Sequence, residues 1–121
     1  MQQIDDGYNF TKTLPEVAFV PGQVAITFRP AAGASHRAFS RALMGPVAEA
    51  TAVGAGIIAA GVKEWNLRRR DGKWTTDQAG GTPVPVTAEE ASKLPSSLFT
   101  EILDTLFGFA GSDEAAASLK N

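Results

Sequence analysis

"KEWNLRRRDGKWTTDQAGGTPVPVTAEEASKLP" runs from Lys63 to Pro95 and decides how the chain divides. It carries both tryptophans, a run of three arginines, and then glycines, prolines and a helix start. Three roles compete for it: a nucleic-acid-binding loop, an active-site lid, or a connection between two helices. Asp71-Gly72 is a turn dipeptide, because glycine takes positive φ without a steric cost. Thr87-Ala88-Glu89-Glu90 has the form of a capping box, with the threonine accepting from the third helical N–H and Glu90 reaching back. The stretch therefore reads as a connector. Trp65 anchors the end of a buried helix, Asp71-Gly72 turns the chain, Thr87 caps the next helix, and the arginines are solvated.

Upstream, Tyr8 and Phe10 alternate with Asn9 and Thr11, and Val24, Ile26 and Phe28 alternate with Ala25, Thr27 and Arg29. That is the period of half-buried strands. Pro21-Gly22 supplies a turn before the second run, and Arg29-Pro30 ends it. Residues 7–29 thus predict a small antiparallel sheet of two or three strands. A first helix follows, with Ser35 as candidate N-cap and an apolar stripe of Ala38, Phe39, Ala42 and Leu43. Gly45-Pro46 stops it and can open a new helix, since proline is tolerated at the first helical position. A second helix is predicted from Val47 to about Trp65, apolar almost all round and therefore buried on more than one face, where its small residues admit a neighbour or a sister subunit.

Downstream, Ala88 to Lys93 predicts a short helix. A stronger one then carries Leu98, Ile102 and Leu106 in one row, Phe99, Leu103 and Phe107 in the next, and Gly108 as its stop. The expected fold is α+β and mostly helical, with a small N-terminal antiparallel sheet at about 7–29 and four or so helices after it. One domain is expected over 1–111, with a flexible tail over 112–121.

The totals narrow the functions. The chain has 121 residues, a formal net charge of −2 and no cysteine, which removes disulfides, thiolate nucleophiles and thiolate metal sites. The acids in MQQIDDGYNF do not suit a secretion signal, so a cytoplasmic site of synthesis is expected. Ala50–Val62 is uncharged but far shorter than the roughly 20 apolar residues of a spanning helix, so no membrane partner is expected.

Catalytic patterns are not found. His36 stands on the polar face of a short helix, without a G-x-S-x-G elbow or an H-E-x-x-H pattern. The acid pairs Asp5-Asp6, Glu89-Glu90 and Glu101/Asp104 have plainer roles at a terminus, a helix start and a solvated face. The glycine-rich pieces lack a following G-K-[ST]. No catalytic residue, metal ligand or cofactor site is therefore assigned, and the protein is not expected to be an enzyme. Arg68, Arg69 and Arg70 beside Trp65 and Trp74 form a patch worth weighing for nucleic acid, but Asp71 and Asp77 dilute it. Three arginines leave a small electrostatic footprint, so nucleic acid is not the expected partner.

Trp65-Asn66-Leu67, the Asp71-Gly72 turn, Pro83 to Thr87, Leu94-Pro95 and the amphipathic run Leu98 to Phe107 together resemble the tail assembly chaperones of tailed phages of the siphophage type. The strand end Ile26 to Ala31, "ITFRPA", is similar as well. The resemblance covers about Phe28 to Phe109 and departs at Lys73–Gly81, an insertion that leaves the strand pairing there open. It implies a non-enzymatic role in host cytoplasm during assembly, with the tape-measure and tail-tube proteins as partners. It also implies, in many members, a longer frameshifted form. Phe99, Leu103, Phe107 and Phe109 are the candidate partner interface, although an ordinary core explains them equally well. A homo-oligomer is expected. The alternatives are a structural virion component of tube, terminator or connector type, and a small nucleic-acid-binding accessory protein.

Overall fold

The computed structural model describes residues 10–17 and 19–111, with the side chains of 109–111 left aside. Asp5, Asp6, Tyr8 and Asn9, the side chain of Phe109 and the tail 112–121 lie outside the described residues. Six strands and four helices follow in order: β1 (Phe10–Thr13), β2 (Ala25–Phe28), α1 (Gly33–Ala42), α2 (Val47–Gly61), β3 (Val62–Trp65), β4 (Arg68–Arg70), β5 (Lys73–Thr75), β6 (Thr82–Pro83), α3 (Ala88–Ser92) and α4 (Ser96–Gly111).

The strands form two three-stranded antiparallel sheets, ordered β1-β2-β3 and β5-β4-β6. This corrects the expected fold class. The protein is a mixed α+β fold, not a mostly helical one with a single small N-terminal sheet. The third strand of the first sheet comes from Val62–Trp65, residues expected to close the second helix. The helix stops at Gly61, and Val62 turns to φ −98° and ψ 121°. Ile26 pairs with Trp65, Thr27 with Glu64 and Phe28 with Val62, so Lys63 is an extra residue at a bulge. The bulge puts Val62 and Trp65, three residues apart, on the inward side, with Lys63 and Glu64 out. A three-residue apolar spacing imitates a helix, which is why the strand is hidden in the sequence.

The second sheet also corrects the reading of the loop as a plain connector. Arg68 pairs with Thr75, Arg69 with Trp74 and Arg70 with Lys73 across the Asp71-Gly72 turn. Both turn residues have positive φ, 51° and 77°, the geometry whose twist suits a two-residue hairpin. The segment 73–81 thus supplies β5 and the return to β6 rather than an unpaired excursion.

One core lies between the first sheet and the helices. Leu14, Val24, Ile26 and Phe28 from the sheet side meet Ile58 of α2 and Leu98, Ile102 and Leu106 of α4. Two backbone bonds fix the strand exit to the helices: Arg29 N–H donates to Gly61 O (2.9 Å) and Ala31 N–H to Leu106 O (3.1 Å). Helix α1 begins earlier than expected, at Gly33 after Ala32, and Ser35 is not its cap. Helix α4 continues through Gly108 to Gly111.

The glycines of α2 divide by environment. A Cβ on Gly54 would lie 2.7 Å from Phe99 Cζ and 3.0 Å from Phe39 Cε1, whereas one on Gly56 would meet nothing within 4 Å. Gly56→Ala is expected to stabilise the protein by about 0.5–1 kcal/mol, the helix-propensity gain alone. Gly54→Ala is expected to destabilise it by about 1 kcal/mol or more, because overpacking outweighs that gain. Urea unfolding of the two variants side by side checks the opposite signs.

Candidate functional site

The Lys63–Pro95 stretch builds a seam between the two sheets. The Asn66 backbone N–H donates to Ala25 O (3.2 Å). Its side-chain Oδ1 accepts from Ala25 N–H (2.9 Å), and its Nδ2 donates to Gln23 O (3.1 Å). Trp65 Nε1–H donates to Val84 O (2.7 Å), so the indole reaches the segment leading into α3. Leu67 is buried beneath the seam, and its carbonyl accepts from Val84 N–H (3.1 Å). Thr87 Oγ1 accepts from Glu90 N–H (3.1 Å), which caps α3.

The arginines are engaged, which corrects their reading as solvated. Arg68 donates through Nε to Gly80 O (2.8 Å) and through Nη2 to Gly81 O (3.0 Å), bracing the return to β6. Arg69 lies over the Trp74 ring, 4.4 Å from its centroid, and donates through Nη2 to Glu90 Oε1 (2.8 Å). Glu90 therefore turns toward the sheet, and Arg69 becomes a clasp between β4 and α3. Arg70 remains exposed. Of the three, Arg69 is paired with a carboxylate, whereas Arg68 is bonded to neutral carbonyls and keeps its net charge.

Glu90 is held below its ordinary carboxyl value of 4.5, chiefly by the Arg69 hydrogen bond, with burial opposing and the charges of Arg69 and Lys93 assisting. A depressed carboxyl pKa contributes stability that is present above the unfolded value and lost as pH falls through the folded one. Glu90→Gln is expected to be less stable than the wild type at neutral pH by about 1 kcal/mol, the pair being partly exposed. That gap closes on acidification below 4.5. Urea midpoints followed against pH test this, and a gap of constant size down to acid pH would contradict the clasp.

The second feature is a groove between α1 and α4, reaching α2 and α3 at one end and lined by aromatic and aliphatic side chains together with His36, Ser40, Thr100 and Asp104. Val47 and Leu94 wall one end, Phe39, Leu43 and Phe99 the middle, and His36, Asp104 and Phe107 the other end. Its two lobes measure about 330 and 220 Å³, one just inside and one below the range of pockets that enclose a small ligand. Of the candidate interface residues, Phe99 and Phe107 are half-buried on the groove wall, and Leu103 is buried at its floor. Phe107 is also packed by His36, edge-on at 4.9 Å, and by Phe39 at 5.8 Å. More exposed apolar side chains stand at the α1–α2 corner of the same groove, where Leu43 is 59% exposed, Met44 89% and Val47 81%; Phe19, 85% exposed, stands apart from them. Gly45-Pro46 in the sequence signals a helix stop and a new start, as found at Val47, but not an exposed apolar corner. The signal present was three large apolar residues around a Gly-Pro turn, where polar residues are the rule.

His36, Ser40, Thr100 and Asp104 share one end of the groove. No hydrogen bond joins the His36 ring to the hydroxyls or the carboxylate among the described residues, so the geometry is not that of a nucleophile and its base. No cluster of metal-ligating side chains occurs among the described residues, and no described helix is long and apolar enough to cross a membrane. Comparison with protein-family models, with curated proteins and with solved structures returned no match.

Proposed function

We propose that the protein is a non-enzymatic assembly factor that holds an apolar helical segment of a larger partner in the α1–α4 groove. The single observation that carries this reading is the groove itself, continuous with the exposed Leu43, Met44 and Val47 at its mouth. A contiguous exposed apolar surface on a folded chain is the mark of an interaction site. An elongated groove with aromatic walls suits the apolar face of an amphipathic helix, read out by anchors one turn apart. The likeness of Trp65-Asn66-Leu67, Asp71-Gly72, Pro83 to Thr87 and Leu98 to Phe107 to tail assembly chaperones supplies the biological setting. The partners would be the tape-measure and tail-tube proteins, engaged in host cytoplasm while particles are built.

The test has two arms. Quantitative mass spectrometry compares cells assembling particles with the finished particles. The chaperone reading expects the chain to be abundant in the first and absent from the second, whereas a fixed copy number in finished particles assigns it to the virion structure. In the second arm, tagged chain captures its partner from the same cells. Leu43→Ser combined with Val47→Ser is expected to weaken that capture about tenfold or more, as loss of interface anchors does. Circular dichroism should be unchanged, because neither side chain supports the core.

A further inference from the structure

The β1–β2 connection stands against the tip of the β4–β5 hairpin and encloses an open cleft lined by Val17, Phe19, Pro21 and Trp74. Two features of this cleft have no counterpart in the core. Phe19 is 85% exposed, and its backbone is held at φ 71° beside the Val17–Val20 bridge. That region disfavours a bulky L-residue, and an exposed aromatic ring gains no burial in return. Here both costs fall on the same residue, and no packing among the described residues offsets them.

The cleft is also pre-formed. Thr76 donates its hydroxyl to Pro21 O (2.8 Å), tying the connection to the hairpin strand. Trp74 is backed by the Arg69 guanidinium, which fixes the indole from one side. Little ordering is left for an incoming group to impose.

We propose that the occupant is a second copy of this chain, paired about a two-fold axis so that each Phe19 seats against the other copy's Trp74. A two-fold interface uses one patch twice, so the patch must complement itself. This one does. It offers an apolar knob, Phe19, and an apolar cleft to receive it. It is flanked by one acid, Glu16, and one base, Lys73. Neither makes an ion pair within the chain among the described residues. The two-fold brings each Glu16 to the other copy's Lys73. The pairing leaves the α1–α4 groove open, so it does not rest on the function proposed above.

Sedimentation equilibrium of the full chain from about 1 to about 200 µM, concentrations bracketing a micromolar dissociation constant, reads the pairing directly. The expected result is a monomer–dimer equilibrium. Phe19→Ser should weaken it about tenfold or more, as removal of an aromatic anchor does, without altering circular dichroism. Glu16→Lys and Lys73→Glu should each weaken it, and the chain carrying both should dimerise again, because the exchanged charges still face each other. A chain monomeric throughout overturns the proposal. So does a dimer indifferent to Phe19→Ser, a double variant no better than its parents, or an assembly larger than two.

Discussion

Most of the molecule depends on one carboxamide. Asn66 follows the last residue of β3, where regular pairing with β2 has run out. Its side chain supplies one acceptor to Ala25 N–H and one donor to Gln23 O, and so stands in for a further peptide group in the ladder. An amide side chain is suited to this because it carries donor and acceptor on one planar group. The backbone is thereby free to leave the first sheet while the sheet's bonds stay satisfied. It leaves into Leu67 and β4, and the second sheet starts there. An aspartate could not donate to Gln23 O, and a leucine could do neither. Through this residue the first sheet, the core beneath Leu67 and the hairpin become one body.

Parts of this were legible in the residues. The β2 alternation, the Asp71-Gly72 turn, the Thr87 cap and the two apolar rows of α4 are local signals, each set by a few neighbouring side chains. What stayed hidden is non-local. Val62–Trp65 carries a bulge that turns a period of two into an apparent spacing of three, and its partner strand lies far back in the chain. The triple arginine reads as solvated because the partners of Arg68 and Arg69 are the carbonyls of Gly80 and Gly81, the Trp74 ring and a glutamate in α3, none visible from Arg68–Arg70 alone. Periodicity finds the apolar face of α4, but only packing tells that Leu103 is covered and that Leu43, Met44 and Val47 are not.

The fold separates its duties by side. The clasp of Arg69 with Glu90 and the seam at Asn66 consume the polar groups of the central stretch in holding elements together. The groove is formed by helices whose inner faces are already spent on the core. Phe39 and Phe99 belong to both, since they pack over Gly54 and also wall the groove. A change in the depth of helix packing there would be transmitted directly to the shape of the groove.

The insertion of α1 and α2 between β2 and β3 also bears on how the chain reaches this state. Phe28 and Val62 are neighbours in the ladder although all of both helices lies between them. Closing so long a loop is entropically costly until something shortens it. The helical hairpin does so, because folding α2 back along α1 delivers Gly61 to Arg29, whose N–H it accepts. Helical structure in α1 and α2 thereby shortens the span that the pairing of β2 with β3 has to close.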